Sequence, residues 1–176
     1  MRVTIMPADK ALIERTLQLA NMRRVRSTTE VEQLFSTLPH TGFYDREGQR
    51  YFQTLSRREV GKYRGHQRDL RESLEKIAGG GRLAKSEVED EVRKVMREMP
   101  IYIFPSQDGK PKIVYLFAGM QACLCYVLML LLDPGLGLGA RLGLCAAPRC
   151  GRFNLAFDGR PRRYCSYEHR RAADTK

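Results

Sequence analysis

The sequence is short of acid. Asp and Glu number 20 against 31 Lys and Arg, a formal net charge of +11. That imbalance favours an anionic partner: nucleic acid, a membrane surface or an acidic protein. An apolar leader is lacking too. MRVTIMPADK has no hydrophobic core of the secretory kind, and charges follow at once, so a cytoplasmic chain is expected. An even cysteine count is missing, since there are five, and an odd number does not suit a secreted disulfide framework. Clustered cysteines in a reducing compartment more often bind metal. Histidine is scarce, with three in the chain. No Ser/His/Asp set or paired-carboxylate motif stands out, so the expectation is a protein that is not an enzyme. GGGRLAKS, Gly79 to Ser86, lacks the second glycine of a phosphate loop and has Ala84 in its place. A long polar helix precedes it where a phosphate loop needs a strand, so nucleotide binding is not expected.

Hydrophobic residues make up 43% of the 176 and charged ones 29%, which suits a folded chain with one ordinary core and a small appended module. Residues 1–140 read as mainly helical. Pro7 and Asp9 precede a helix with Leu12, Ile13, Leu17 and Ala20 inward. Three capping-box patterns, Thr29 with Glu32, Ser56 with Glu59 and Ser86 with Glu89, mark three further helix starts. The second of these helices sets Val60, Tyr63, Leu70, Leu74 and Ile77 on one seam. Its other face carries Arg57, Arg58, Lys62, Arg64, Arg68 and Arg71, either a solvated face or one that contacts phosphates. IYIF and KIVYLF flank Pro105–Pro111 as a hairpin. The run Ile113 to Leu132 is long enough to span a bilayer. Its β-like opening, IVYLF, favours a strand running into a buried helix, with a membrane-associated segment as the alternative. Asp133-Pro134-Gly135 breaks that helix, and GLGLGARLG reads as a linker or turn.

Residues 141–176 hold nine basic residues against three acids, about half of the net charge in a fifth of the chain. They also hold the spacing Cys145-x4-Cys150-x14-Cys165-x3-His169. Two ligands on a short turn and two on a later segment are the pattern of a four-coordinate structural zinc site. Four protein ligands leave no open position, so one zinc ion would be structural. The alternative is three buried thiols and a surface imidazole. RFNLAF reads as a strand, Asp158-Gly159 as a turn and PRRYC as the returning strand. Ser166 can cap a last helix, with Cys165 just before it and His169 in its first turn. Phe153, Leu155 and Phe157 alternate, and Tyr164 and Tyr167 are placed to pack around them. Cys123 and Cys125, at i and i+2, do not share a helix face and read as core residues. His40 and His66 have no ligand-like neighbours in sequence.

Cys150-Gly151-Arg152-Phe153 followed by Arg162-Arg163-Tyr164-Cys165-Ser166 resembles the treble-clef zinc finger of the CGNR family. The Cys-Gly-Asn-Arg that names the family is missing, and His169-Arg170-Arg171 stands near its place. LSRREVGKYRGHQRDLRESLEKI and the Leu-rich helix before Cys145 are similar to the helical ABATE domain that accompanies such fingers. The resemblance implies an α+β chain: a mostly helical domain, 1–140, with one hairpin, then a small treble-clef-like finger, 141–176. It implies a bacterial DNA-binding transcription regulator whose N-terminal domain senses a ligand or forms a homodimer. Arg160, Arg162 and Arg163 after the hairpin turn, with Arg170 and Arg171 on the last helix, are the candidate nucleic-acid contacts. The alternative is a zinc-stabilised protein–protein interaction module without direct DNA binding. An HNH-type nuclease would need a histidine between Cys150 and Cys165, and there is none.

Overall fold

The structure, a computed structural model, describes residues 5, 7–35, 57–79, 81–97, 101–105, 111–115, 120–158 and 160–174. Ser56, the 40–50 loop with His40, the 106–110 turn and Gly159 lie outside the described residues, and so do the expectations placed on them. The order is α1 (Pro7–Asn21), α2 (Thr28–Phe35), α3 (Arg57–Gly79), α4 (Arg82–Met96), β1 (Ile101–Pro105), β2 (Pro111–Tyr115), α5 (Met120–Leu132), a 3-10 turn (Gly139–Arg141), β3 (Leu142–Leu144), β4 (Phe153–Leu155) and α6 (Tyr167–Asp174). The chain is thus α+β and mostly helical, with β1 and β2 forming the expected antiparallel hairpin, Ile103 opposite Ile113.

α5 is apolar on almost every side, and Met120, Cys123, Leu124, Val127, Leu128 and Leu131 are buried. Such a helix is stable only when surrounded, and α1, α3 and α4 pack around it. The side chain of Tyr126 donates to Asp9 at 3.0 Å and ties α5 to the first turn of α1. Thirteen residues reach about 20 Å, short of a bilayer core of about 30 Å. No helix among the described residues is long and apolar enough to cross a membrane.

α3 packs through the expected seam. Tyr63, Leu70, Leu74 and Ile77 are buried, each large aliphatic contributing about 1.5–3 kcal/mol by leaving water. Gln67 lies buried in the same seam. Its Nε2 donates to the carbonyls of Leu19 (2.9 Å) and Met22 (2.8 Å), and its Oε1 accepts from Val25 N–H at 3.4 Å. The end of α1 and the loop after it thereby gain partners for groups a helix terminus leaves bare.

Two of the expected helix starts are displaced. α2 begins at Thr28, and its capping box is Ser27 with Glu30. Ser27 Oγ accepts from Glu30 N–H at 3.3 Å, and Glu30 Oε2 accepts from Arg26 N–H at 2.8 Å and Ser27 N–H at 3.4 Å. This box starts the helix two residues before Thr29 can cap it. α4 begins at Arg82 with Gly81 as its N-cap, so Ser86 and Glu89 lie within the helix rather than at its start. Gly81, in extended backbone, starts α4 five residues before Ser86.

The strand pairing near the C-terminus also differs from expectation. β4 pairs antiparallel with β3, Leu144 opposite Phe153 and Leu142 opposite Leu155. PRRYC forms no strand. The segment before Cys145 is therefore half of the hairpin, and the Cys145–Cys150 turn is its loop. Gly139 lets this segment lie against α5: a Cβ there would sit 2.6 Å from the Leu131 carbonyl oxygen and 3.3 Å from Ile77 Cγ2.

Candidate metal centre

The β3–β4 hairpin brings Cys145 and Cys150 to its tip. Gly151 turns the chain with φ +56°, a left-handed conformation that costs a residue with a Cβ about 1–2 kcal/mol. Arg149 shares this conformation, with φ 60°. Cys145 N–H donates to the Arg152 carbonyl at 2.8 Å and Ala146 N–H to the Arg163 carbonyl at 2.9 Å, which fixes the turn against the returning chain. Ser166 Oγ accepts from His169 N–H at 3.3 Å, so Ser166 caps α6 as its position suggests. Cys165 precedes that cap and His169 lies in the first turn beyond it.

The four side chains converge. The three sulfurs and a ring nitrogen of His169 all lie within 4.8 Å of one another. Cys150 Sγ is 3.6 Å from Cys165 Sγ, and His169 Nδ1 is 3.2 Å from Cys165 Sγ and 3.5 Å from Cys145 Sγ. Tetrahedral zinc with bonds of about 2.3 Å to sulfur and about 2.0–2.1 Å to nitrogen sets its ligands about 3.5–3.8 Å apart. The donor set and its spacing therefore fit one ion with four protein ligands.

The thiols interact strongly. Burial opposes ionisation of Cys145, but the backbone N–H groups of Cys165 and Ala147, with the His169 and Cys165 side chains, outweigh it and bring the thiol down to about 6. Cys165 is pushed up to about 12, first by burial and then by Cys145 and Cys150 beside it. One thiolate forms easily and suppresses its neighbour. A cation among them removes that conflict, as expected of a metal centre. Cys123 and Cys125 behave as core thiols: burial raises both, Cys125 to about 11.

The centre is fastened to the helical part of the chain. Asn21 Nδ2 donates to the Phe153 carbonyl at 2.9 Å, and Phe153 N–H donates to Asn21 Oδ1 at 2.7 Å. Arg71 donates through Nη1 to the Ala20 carbonyl at 2.6 Å and through Nη2 to the Gly151 carbonyl at 3.1 Å. Its guanidinium also lies 5.4 Å from the centre of the Phe153 ring. Phe153 and Leu142 belong to the same buried cluster as α1, α3 and α5, while Leu155 and Phe157 pack on its edge. A module too small for a core of its own thus borrows one. Arg71, read from sequence as solvated or phosphate-facing, is instead a strut. Arg64 is another, donating from Nε to the Val25 carbonyl at 2.9 Å.

The candidate nucleic-acid residues flank Cys165 and His169 along the chain. Arg160, Arg162 and Arg163 are exposed on the segment that returns to Cys165, and Arg170 and Arg171 are exposed on α6. Arg163 lies over the Tyr164 ring at 5.6 Å. Tyr167, placed by the sequence among the packing aromatics, is instead 76% exposed. His66 is half-buried on α3, edge-on to the Tyr63 ring at 6.4 Å. Asn21, Gln67 and Arg71 had no local sequence signal, because their partners lie 42 to 132 residues away. No family model matches the chain, and no curated protein matches it.

Proposed function

We propose that the chain is a zinc-containing nucleic-acid-binding protein, most simply a bacterial DNA-binding regulator of the CGNR kind with an ABATE-like helical domain. The observation that carries this reading is the Cys3His cluster with exposed arginines on either side of Cys165 and His169, in the returning segment and on α6. Cys145, Cys150, Cys165 and His169 would hold one Zn2+, which when bound cross-links the hairpin tip to the start of α6. With four protein ligands the ion is structural. Arg160, Arg162 and Arg163 would then face phosphates from one side of the centre, and Arg170 and Arg171 from the other. Such contacts position a duplex without reading its sequence.

The test is duplex binding at two salt concentrations, for the wild type and for the Arg162→Ala/Arg163→Ala variant. The reading expects affinity that falls steeply with salt, with a shallower slope in the variant. Salt-insensitive binding, or none, would count against it. A protein partner is the second reading, favoured by the exposed Leu144 and Tyr167 on the metal module. A complex that survives nuclease treatment and depends on Tyr167 would support that one instead.

A further inference from the structure

Two cavities lie side by side on the face where the helical part meets the metal module. The first, of about 850 Å³, is walled by Lys10, Asn21 and Arg23 on one side and by Arg152, Phe157 and Arg162 on the other. The second, of about 650 Å³, is lined by Arg23, Arg24, Arg26 and Arg64. Met22 and Arg23 line both, so the two adjoin on one grooved surface.

The groove is basic along its length. Arg23, Arg24, Arg26, Arg152 and Arg162 are all exposed. Among the described residues, no ion pair engages any of them. The acids in the groove are Glu14 and Asp158 in the first cavity and Glu30 in the second. Glu30 is already committed, since its Oε2 accepts from the main-chain N–H groups of Arg26 and Ser27.

The loop that bears these arginines is fixed at both ends. Gln67 holds the Leu19 and Met22 carbonyls and the Val25 N–H, Arg64 holds the Val25 carbonyl, and Glu30 holds the Arg26 N–H. A buried side chain on α3 and a capping box on α2 thus present three exposed guanidiniums from a defined backbone. Less ordering is then needed when a ligand arrives, which favours binding. A row of arginines that no ion pair among the described residues engages, beside an arginine-bearing metal module, matches the charge of a phosphodiester chain.

We propose that the loop between α1 and α2 is the second half of a DNA-phosphate-binding surface. Arg23, Arg24 and Arg26 continue the path begun by Arg152 and Arg162 on the metal module. This rests on the nucleic-acid reading above and adds to it that the helical part touches DNA directly. One duplex then spans both parts of the chain, and the Asn21 and Arg71 bridges set the spacing between its two sets of arginines.

The experiment measures the dissociation constant of the zinc-loaded full chain for a short duplex across a salt series. It compares the wild type, Arg23→Ala/Arg24→Ala/Arg26→Ala, Arg162→Ala/Arg163→Ala, and a control, Arg82→Ala/Arg93→Ala/Lys94→Ala. The control removes the same charge from exposed positions on α4, which packs against α3 and α5. Zinc content and thermal melting confirm that each variant is folded. The loop variant is expected to lower the slope of log affinity against log salt by about one unit for each phosphate it no longer neutralises, about two to three units in all, with the control close to the wild type. If the loop variant matches the control while Arg162→Ala/Arg163→Ala weakens binding, this proposal falls and the nucleic-acid reading stands. If the wild type binds no duplex, both fall.

Discussion

Asn21 pairs with the main chain of Phe153 as a neighbouring strand would. Its amide accepts from the Phe153 N–H at 2.7 Å and donates to the Phe153 carbonyl at 2.9 Å. One side chain at the end of α1 thus completes the open edge of β4, only two residues after the Gly151 turn. Asn21→Ala leaves both main-chain groups without a partner in a partly buried place. It should lower stability by about 1–3 kcal/mol, measured by denaturant unfolding of the metal-loaded protein. An unchanged midpoint would mean that water replaces the amide freely.

Gly139 lies where the chain turns from α5 toward β3. A Cβ would stand 2.6 Å from a main-chain oxygen, and a main-chain oxygen cannot step aside as a side-chain tip can. Gly139→Ala should cost about 1–3 kcal/mol in thermal or chemical unfolding. Gly61 and Gly65 on α3 have nothing within 4 Å of a built Cβ. Ala at either should raise stability by about 0.5–1 kcal/mol, because glycine costs that much within a helix.

His66 makes stability depend on pH. Burial holds its pKa below the ordinary 6.5, with Asp69 opposing and Lys62 assisting. The fold therefore favours neutral imidazole, and the unfolded chain takes up the proton first. Its contribution is full above pH 6.5 and is lost as pH falls through 6.5 toward the lowered value. His66→Gln should flatten the decline in unfolding free energy between about pH 7 and pH 5 relative to the wild type. Parallel curves for the two proteins would contradict this.

How much of this was legible in the sequence depended on the range of the interaction. The four ligands lie within 25 consecutive residues and are of types that share one chemistry, so their spacing pointed to the cluster found. The seam Tyr63, Leu70, Leu74 and Ile77 was legible because helical periodicity repeats often enough to stand out. Short-range signals competed with one another. Ser27–Glu30 and Thr29–Glu32 are overlapping capping patterns, and only the observed loop geometry selects the first. β3 has three residues, two of them leucines flanking a glycine, and a linker looks the same. The struts Gln67, Arg64 and Arg71 read as ordinary polar residues of a surface helix. Their partners are main-chain carbonyls and amides, which leave no mark on the sequence.

The central claim is that Cys145, Cys150, Cys165 and His169 form one closed metal centre, and metal content tests it most directly. Elemental analysis of the protein, purified without added metal, should give one equivalent of zinc per chain. Cys145→Ala and His169→Ala should each lose most of it, whereas Cys125→Ala, which alters a thiol on α5, should keep it. Absence of zinc from the wild type, or its full retention in both ligand variants, would contradict a Cys3His centre.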